Sequence, residues 1–153
     1  MADLRDLYQE VVLDHGRRPR NFGPLPGANR HAEGFNPLCG DQLTLHLKVS
    51  DDGIVEQVRF EGSGCAISTA SASLMTEALK GRSADEAHAL FAAFHSLLTG
   101  DESRPVNTQA PALGKLLVLA GVREFPMRIK CATLAWHTLD AALQQIDEPV
   151  STE

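Results

Sequence analysis

Three cysteines and one aspartate carry the chemistry that can be read from this chain. Cys39 stands in Asn36-Pro37-Leu38-Cys39-Gly40-Asp41, Cys65 in Gly62-Ser63-Gly64-Cys65, and Cys131 follows Arg128-Ile129-Lys130. Each lies beside glycine, proline or charge at the end of an expected element, whereas structural cysteines more often sit inside apolar stripes. Cys65 and Cys131 fall where helices are expected to begin. The positive end of a helix dipole favours the thiolate there, the form that binds metal or attacks sulfur. Asp41 lies two residues from Cys39, so in an extended chain both side chains point the same way. Three thiolates and a carboxylate suit a tetrahedral zinc ion. No C-x-x-C is present and the cysteines are far apart in sequence. On these residues alone, one metal site and three unconnected small thiols both stand.

The elements around them decide whether such a site can be built. Leu4, Leu7, Tyr8, Val11 and Val12 recur at helical spacing and predict an amphipathic helix over 3–15, ended by Gly16 and Pro19. Residues 16–29, rich in Gly, Pro and Asn, read as a loop. Leu43, Leu45, Leu47 and Val49 alternate with Gln42, Thr44, His46 and Lys48, which predicts a half-buried strand. Asp51-Asp52-Gly53 marks a turn and residues 54–60 supply the second strand of a hairpin. A third strand is expected around 30–36. The hairpin places residues 39–41 and 61–65 at the same end of the sheet, so Cys39, Asp41 and Cys65 are expected to meet.

After Gly64 the pattern is helical. Ile67, Ala70, Ser71, Leu74, Met75 and Ala78 form one stripe, closed by Gly81. Ser83 and Glu86 make a capping box that opens a helix bearing Leu90, Phe91, Phe94, Leu97 and Leu98. A polar loop is expected over 99–109, a short helix over 111–121, and a last helix along Leu134, Ala135, Leu139, Ala142, Leu143 and Ile146. Strands first and helices afterwards predict an α+β fold: a small three-stranded antiparallel sheet with helices packed on one face. Residues 1–146 are expected to form a single domain and 147–153 a flexible C-terminal tail.

With 153 residues the chain is long enough for one core. Its net charge of −6 argues against a nucleic-acid partner, which would ask for a basic surface. Arg17, Arg18 and Arg20 form the one cationic cluster and read as a solvated turn or as a docking point for an acidic partner. The opening residues lack a secretory pattern and no apolar run approaches the ~20 residues of a membrane span. A cytoplasmic, membrane-free location is therefore expected, where three cysteines serve metal or sulfur chemistry rather than disulfides. His88 and His95 share a helix face without further candidate ligands, His15 can cap a helix, and Ser68, Ser71 and Ser73 read as helix packing. No G-x-S-x-G is present.

The combined motifs resemble a known family. Tyr8 to Gly23, reading YQEVVLDHGRRPRNFG, looks like the N-terminal signature of the IscU-like scaffold proteins. Asn36-Pro37 with Cys39-Gly40-Asp41, then Gly62-Ser63-Gly64-Cys65-Ala66-Ile67-Ser68, then Lys130-Cys131-Ala132, resemble its three cysteine motifs in order. The resemblance spans roughly residues 4–145. It implies that Cys39, Asp41, Cys65 and Cys131 are metal or cluster ligands and that a cysteine desulfurase is the partner.

Within that family, IscU-type scaffolds carry a histidine before the third cysteine and a Leu-Pro-Pro-Val-Lys motif upstream. This chain has Lys130 and Phe125-Pro126-Met127-Arg128-Ile129 at those places, with an extra stretch over about 82–108. These departures resemble the SufU branch (NifU N-terminal domain-like). They imply a bound Zn²⁺ and a sulfurtransferase-like acceptor that takes persulfide sulfur on Cys39 from a SufS-type cysteine desulfurase and passes it to downstream iron–sulfur assembly proteins. Arg128 and Lys130 are expected to offset the charge of the thiolate-rich site. The alternative is a scaffold binding iron or a [2Fe–2S] cluster. A Cys–His hydrolase has no local motif to support it.

Overall fold

The strict alternation along residues 41–49 builds the central strand. In a computed structural model, which describes residues 4–37, 40–99, 116, 119, 122, 125–144 and 150–151, this is β2 (Asp41–Val49), flanked by β1 (Arg30–Asn36) and β3 (Val55–Ser63). All three pair antiparallel, with His31 opposite His46 and Gln42 opposite Ser63. Gly53 takes φ +82 in the β2–β3 turn, a left-handed conformation that favours glycine. Leu43, Leu45, Leu47 and Val49 are buried on one face, as the alternation requires.

The expected three-stranded antiparallel sheet is thus present. Val150 and Ser151, from the stretch expected to fray, add a two-residue strand β4 (Val150–Ser151), parallel to β1 through Gly34 and Phe35. The edge of β1 offers unpaired backbone groups, and these two residues take up part of it.

Four helices accompany the sheet: α1 (Leu4–Arg17), α2 (Ala66–Leu79), α3 (Ala84–Thr99) and α4 (Pro126–Leu143). α4 lies on β1 and β2, α2 packs on α1, α4 and β3, and α3 packs on α4. The core is filled by Leu45, Leu47 and Val55 from the sheet, Met75, Leu79, Phe94 and Leu98 from α2 and α3, and Leu134, Trp136 and Leu139 from α4. The capping box forms: Ser83 N–H donates to Glu86 Oε1 at 3.3 Å and Glu86 N–H to Ser83 Oγ at 3.1 Å. Among the described residues no helix is long and apolar enough to cross a membrane. The loop expected over 99–109 falls, past Thr99, outside the described residues. So does most of the helix expected over 111–121, of which Leu116 and Leu119 are buried.

One local finding differs from expectation. α4 begins at Pro126, so Cys131 stands in its second turn and not at a helix start. Proline suits the first turn because its missing N–H would have no helical partner there. The helix dipole acts mainly over the first turn, so it does not single out Cys131. The N-terminal signature is also structural in detail. His15 is buried, with Nδ1 2.7 Å from Ser73 Oγ, and the same oxygen accepts Arg20 N–H at 2.8 Å. Asn21 Nδ2 donates to Thr76 Oγ1 at 3.0 Å, and Phe22 stacks edge-on against Phe60. The loop after α1 is thereby fastened to α2 and β3. Arg20 also pairs with Asp14 at 2.7 Å, and this partner holds the Asp14 carboxyl below its ordinary range.

β1 approaches α4 so closely that a Cβ on Gly34 would collide with Thr138 Oγ1 and lie 3.1 Å from Leu134 Cδ1. Overpacking of this kind costs about 1–3 kcal/mol. Gly34→Ala is expected to lower stability by that amount, read as a drop in the midpoint of denaturant unfolding at unchanged slope.

Candidate metal centre

Three elements end or pass at one corner of the sheet. Asp41 opens β2 with its side chain on the buried face. β3 ends at Ser63, and after Gly64 the chain enters α2 with Cys65 as its N-cap: the sulfur accepts Ser68 N–H at 3.4 Å. α4 crosses behind them and supplies Cys131. The ligand atoms of Asp41, Cys65 and Cys131 all lie within 4.8 Å of one another. Asp41 and Cys131 are buried and Cys65 is half-buried, so the cluster opens toward solvent through Cys65.

Hydrogen bonds hold the carboxylate in this place. Cys65 N–H donates to Asp41 Oδ1 at 2.8 Å. Asn36 Nδ2 reaches Asp41 Oδ2 at 3.4 Å and Cys131 Sγ at 3.5 Å, bridging two of the three candidates. Cys131 Sγ lies 3.7 Å from the carbonyl of Met127. Asn36 is fully buried, and its Oδ1 has no hydrogen-bond partner among the described residues.

Asp41 is 1% exposed, yet no Lys or Arg stands within ion-pair distance of it among the described residues. Burying an unpaired carboxylate costs several kcal/mol. Two sulfurs and one carboxylate oxygen fit a divalent ion that takes both ligand types, as zinc does.

Cys39, expected to complete the set, lies outside the described residues. Its neighbours are placed: residues 37–40 join Asn36 to Asp41, which are opposite each other in the β1–β2 ladder. Gly40 has φ +72, so the backbone between Cys39 and Asp41 is not extended. The straight backbone on which that expectation rests is absent at Gly40, and the Cys39 side chain itself lies outside the described residues. Arg128 is exposed and Lys130 half-buried, and neither forms an ion pair with Asp41.

Two residues that the sequence marks only as motif members turn out to support the site. Asn36 follows Ala32 and Gly34 on the inward face of β1, and that register is the signal that marks it. Gly64 is the other: a Cβ there would lie 2.6 Å from Asp41 Oδ1. Only a glycine lets the carboxylate reach the N–H of the next residue. Beside the cluster, a groove of about 620 Å³ is lined by Val12, Leu13, Ala66, Ile67, Phe125 and Arg128.

Ser68, Ser71 and Ser73 are buried packing groups, and His88 is exposed. Buried Ser71 donates to the carbonyl of Ala132 and accepts from Trp136 Nε1 at 3.3 Å, tying α2 to α4 one residue beyond Cys131. His95 and His137 face each other across α3 and α4 with ring centroids 6.1 Å apart, and His88 pairs with Asp140 at 3.5 Å. Burial, then the nearby His95, pushes the His137 pKa down.

Comparison with known proteins places this geometry in context. Residues 7–148 match the family model described as the NifU-like N terminal domain. The iron-sulfur cluster assembly scaffold protein IscU of Streptococcus pyogenes serotype M1 is 43% identical over 145 residues, spanning 95% of this chain and 87% of its own length. The zinc-dependent sulfurtransferase SufU of Bacillus subtilis (strain 168) is 42% identical over 139 residues, 91% of this chain and 90% of its own length. The crystal structure of FiSufU from Fervidobacterium islandicum AW-1 aligns with a TM-score of 0.81 at 34% identity, covering 90% of this chain and 96% of that one.

Gly64→Ala is expected to push the Asp41 carboxylate away from the Cys65 N–H and leave a buried group unsatisfied. The loss is about 1–3 kcal/mol, measured by chemical unfolding of the metal-stripped protein.

Proposed function

The chain belongs to the NifU-like N-terminal domain family, and from that premise we propose that it is a sulfur acceptor for iron–sulfur cluster assembly. In this proposal Cys39, Asp41, Cys65 and Cys131 hold one zinc ion, and Cys39 takes persulfide sulfur from a SufS-type cysteine desulfurase. The observation that carries it is the buried Asp41 carboxylate set between Cys65 and Cys131 with no basic side chain paired to it among the described residues. Such a group is stable beside a cation and costly without one. The zinc-dependent sulfurtransferase SufU of Bacillus subtilis, alike over nearly the whole length, supports the choice of ion and of chemistry.

Zinc, when bound, keeps thiols in the thiolate form and has no redox chemistry with which to consume persulfide. The chain's own residues do the rest. Asn36 steadies Asp41 and Cys131 through one amide nitrogen, and the Cys65 N–H fixes the remaining carboxylate oxygen. Asp41, Cys65 and Cys131 therefore form a stationary platform. Cys39 belongs to the short connection 37–40, which is anchored at both ends beside that platform. In sulfur transfer its thiolate attacks the outer sulfur of the donor cysteine persulfide. A new S–S bond forms on Cys39, the donor S–S bond breaks, and the donor cysteine leaves as thiolate. In this reading Arg128 and Lys130, exposed and half-buried on α4's first turns, supply the positive charge that favours anionic sulfur.

Metal analysis of the purified protein tests the reading. One zinc per chain with no visible absorption is expected. Stoichiometric iron and sulfide with a visible chromophore replaces it by the cluster-scaffold function for which the Streptococcus pyogenes relative is named. Cys39→Ala is expected to abolish sulfur acceptance from the desulfurase while preserving the circular dichroism spectrum. Acceptance at the wild-type rate would move the role to another cysteine.

Asp41→Asn separates the metal from the fold. The amide oxygen still accepts the Cys65 N–H, and the buried charge is gone. The variant should be at least as stable as wild type without metal and less stable with zinc, the opposite signs being read in two unfolding curves. A variant less stable than wild type in both states shows that Asp41 serves the fold and not the ion.

A further inference from the structure

The sheet has a second set of converging side chains on the face turned away from the helices. Along β2, Asp41, Leu43, Leu45 and Leu47 point inward, so His46 points outward. His31, its cross-strand partner on β1, lies on the same exposed face. The two Nδ1 atoms are 2.8 Å apart, and the rings meet at 81° with centroids 5.1 Å apart. On the other side of His46, Nε2 lies 2.8 Å from Glu61 Oε1 of β3. The carboxylate can only accept, so His46 carries its proton on Nε2 and presents a lone pair at Nδ1.

Two imidazole nitrogens that meet in this way share either a proton or a metal ion. Metal–nitrogen bonds are about 2.0–2.1 Å long, so two nitrogens at 90° on one ion stand ~2.8–3.0 Å apart and at the tetrahedral angle ~3.3–3.4 Å. The observed 2.8 Å is the length of a ring-to-ring hydrogen bond, and a small turn of the two rings opens it to either geometry. A carboxylate on the far nitrogen is also the usual support of a metal-ligating histidine, since it fixes the tautomer and the ring orientation. His31 is exposed and the His46 side chain is 15% exposed, so water has access to the remaining coordination positions.

We propose that His31 and His46, with Glu61 orienting His46, form a binding site for a divalent transition-metal ion that takes imidazole ligands, such as Ni²⁺ or Cu²⁺. The site is separate from Asp41, Cys65 and Cys131 because neighbouring residues of a strand face opposite sides of the sheet. On loading, His31 moves its proton from Nδ1 to Nε2, and the ring-to-ring hydrogen bond gives way to two metal–nitrogen bonds. Neutral rings release no proton in this exchange.

The test is calorimetric titration of Ni²⁺ into untagged protein, with its resident metal measured before and after so that exchange at the cysteines is seen. Wild type is expected to take up one Ni²⁺ per chain without losing resident metal. His31→Ala and His46→Ala should each weaken that binding at least about tenfold, and Glu61→Ala, which removes only the orienting group, by about 10–100-fold. All three positions are on the sheet surface, and circular dichroism checks that the fold is intact. The proposal is overturned if wild type takes up no additional Ni²⁺, or if His31→Ala and His46→Ala bind it as tightly as wild type.

Discussion

Asp41 Oδ1 accepts the backbone N–H of Cys65 at 2.8 Å, and this bond joins the first residue of β2 to the N-cap of α2. It crosses from the sheet to the helix layer at the point where the chain changes from one to the other. A carboxylate that accepts a backbone N–H lies at the strong end of protein hydrogen bonds. Here it also removes a donor that the start of α2 would leave unpaired. Gly64 makes the bond possible by its missing side chain, and the Gln42–Ser63 pairing brings the two strands to the required register.

Cys131 is held in place by a different set of contacts. α4 is fixed to α2 by Ser71, which bonds the Ala132 carbonyl and receives Trp136 Nε1, and to β1 by the close approach at Gly34. Asn36 then spans the gap between α4 and β2. The cluster therefore depends on three independent attachments of α4, and a change in any of them moves one sulfur relative to the other two ligand atoms. Rigid support of this kind suits a site whose neighbour, Cys39, belongs to the connection between β1 and β2.

The two faces of the sheet carry different chemistry for one geometric reason. Successive residues of β2 alternate between the helix layer and solvent. Asp41 meets sulfur under the helices, and His46 meets His31 and Glu61 in the open. The inner cluster is largely buried and thiol-rich, and the outer one is more exposed and built of nitrogen and carboxylate.

Much of this was legible in the sequence because it depends on local periodicity. The alternation from Leu43 to Val49, the turn at Asp51-Asp52-Gly53, the stripe through Leu74 and Met75 and the Ser83–Glu86 box all formed as their spacing required. The meeting of Asp41 with Cys65 followed from the hairpin, since strand pairing carries local order across the chain. Other features needed the tertiary structure. The apolar stripe alone put the start of α4 too late, because Pro126 opens the helix and the first turn behind it is exposed and carries no apolar stripe. Asn36 and Gly64 stand in the sequence only as members of the cysteine motifs, and their support of Asp41 shows once three elements converge on them. His31 and His46 look like two unrelated surface residues until the β1–β2 register sets them opposite each other. Period and turn chemistry act between near neighbours, so the sequence by itself determined the elements and the order of the ligands. Distances between side chains far apart in the chain depend on how helices dock on the sheet, and only the tertiary structure decided those.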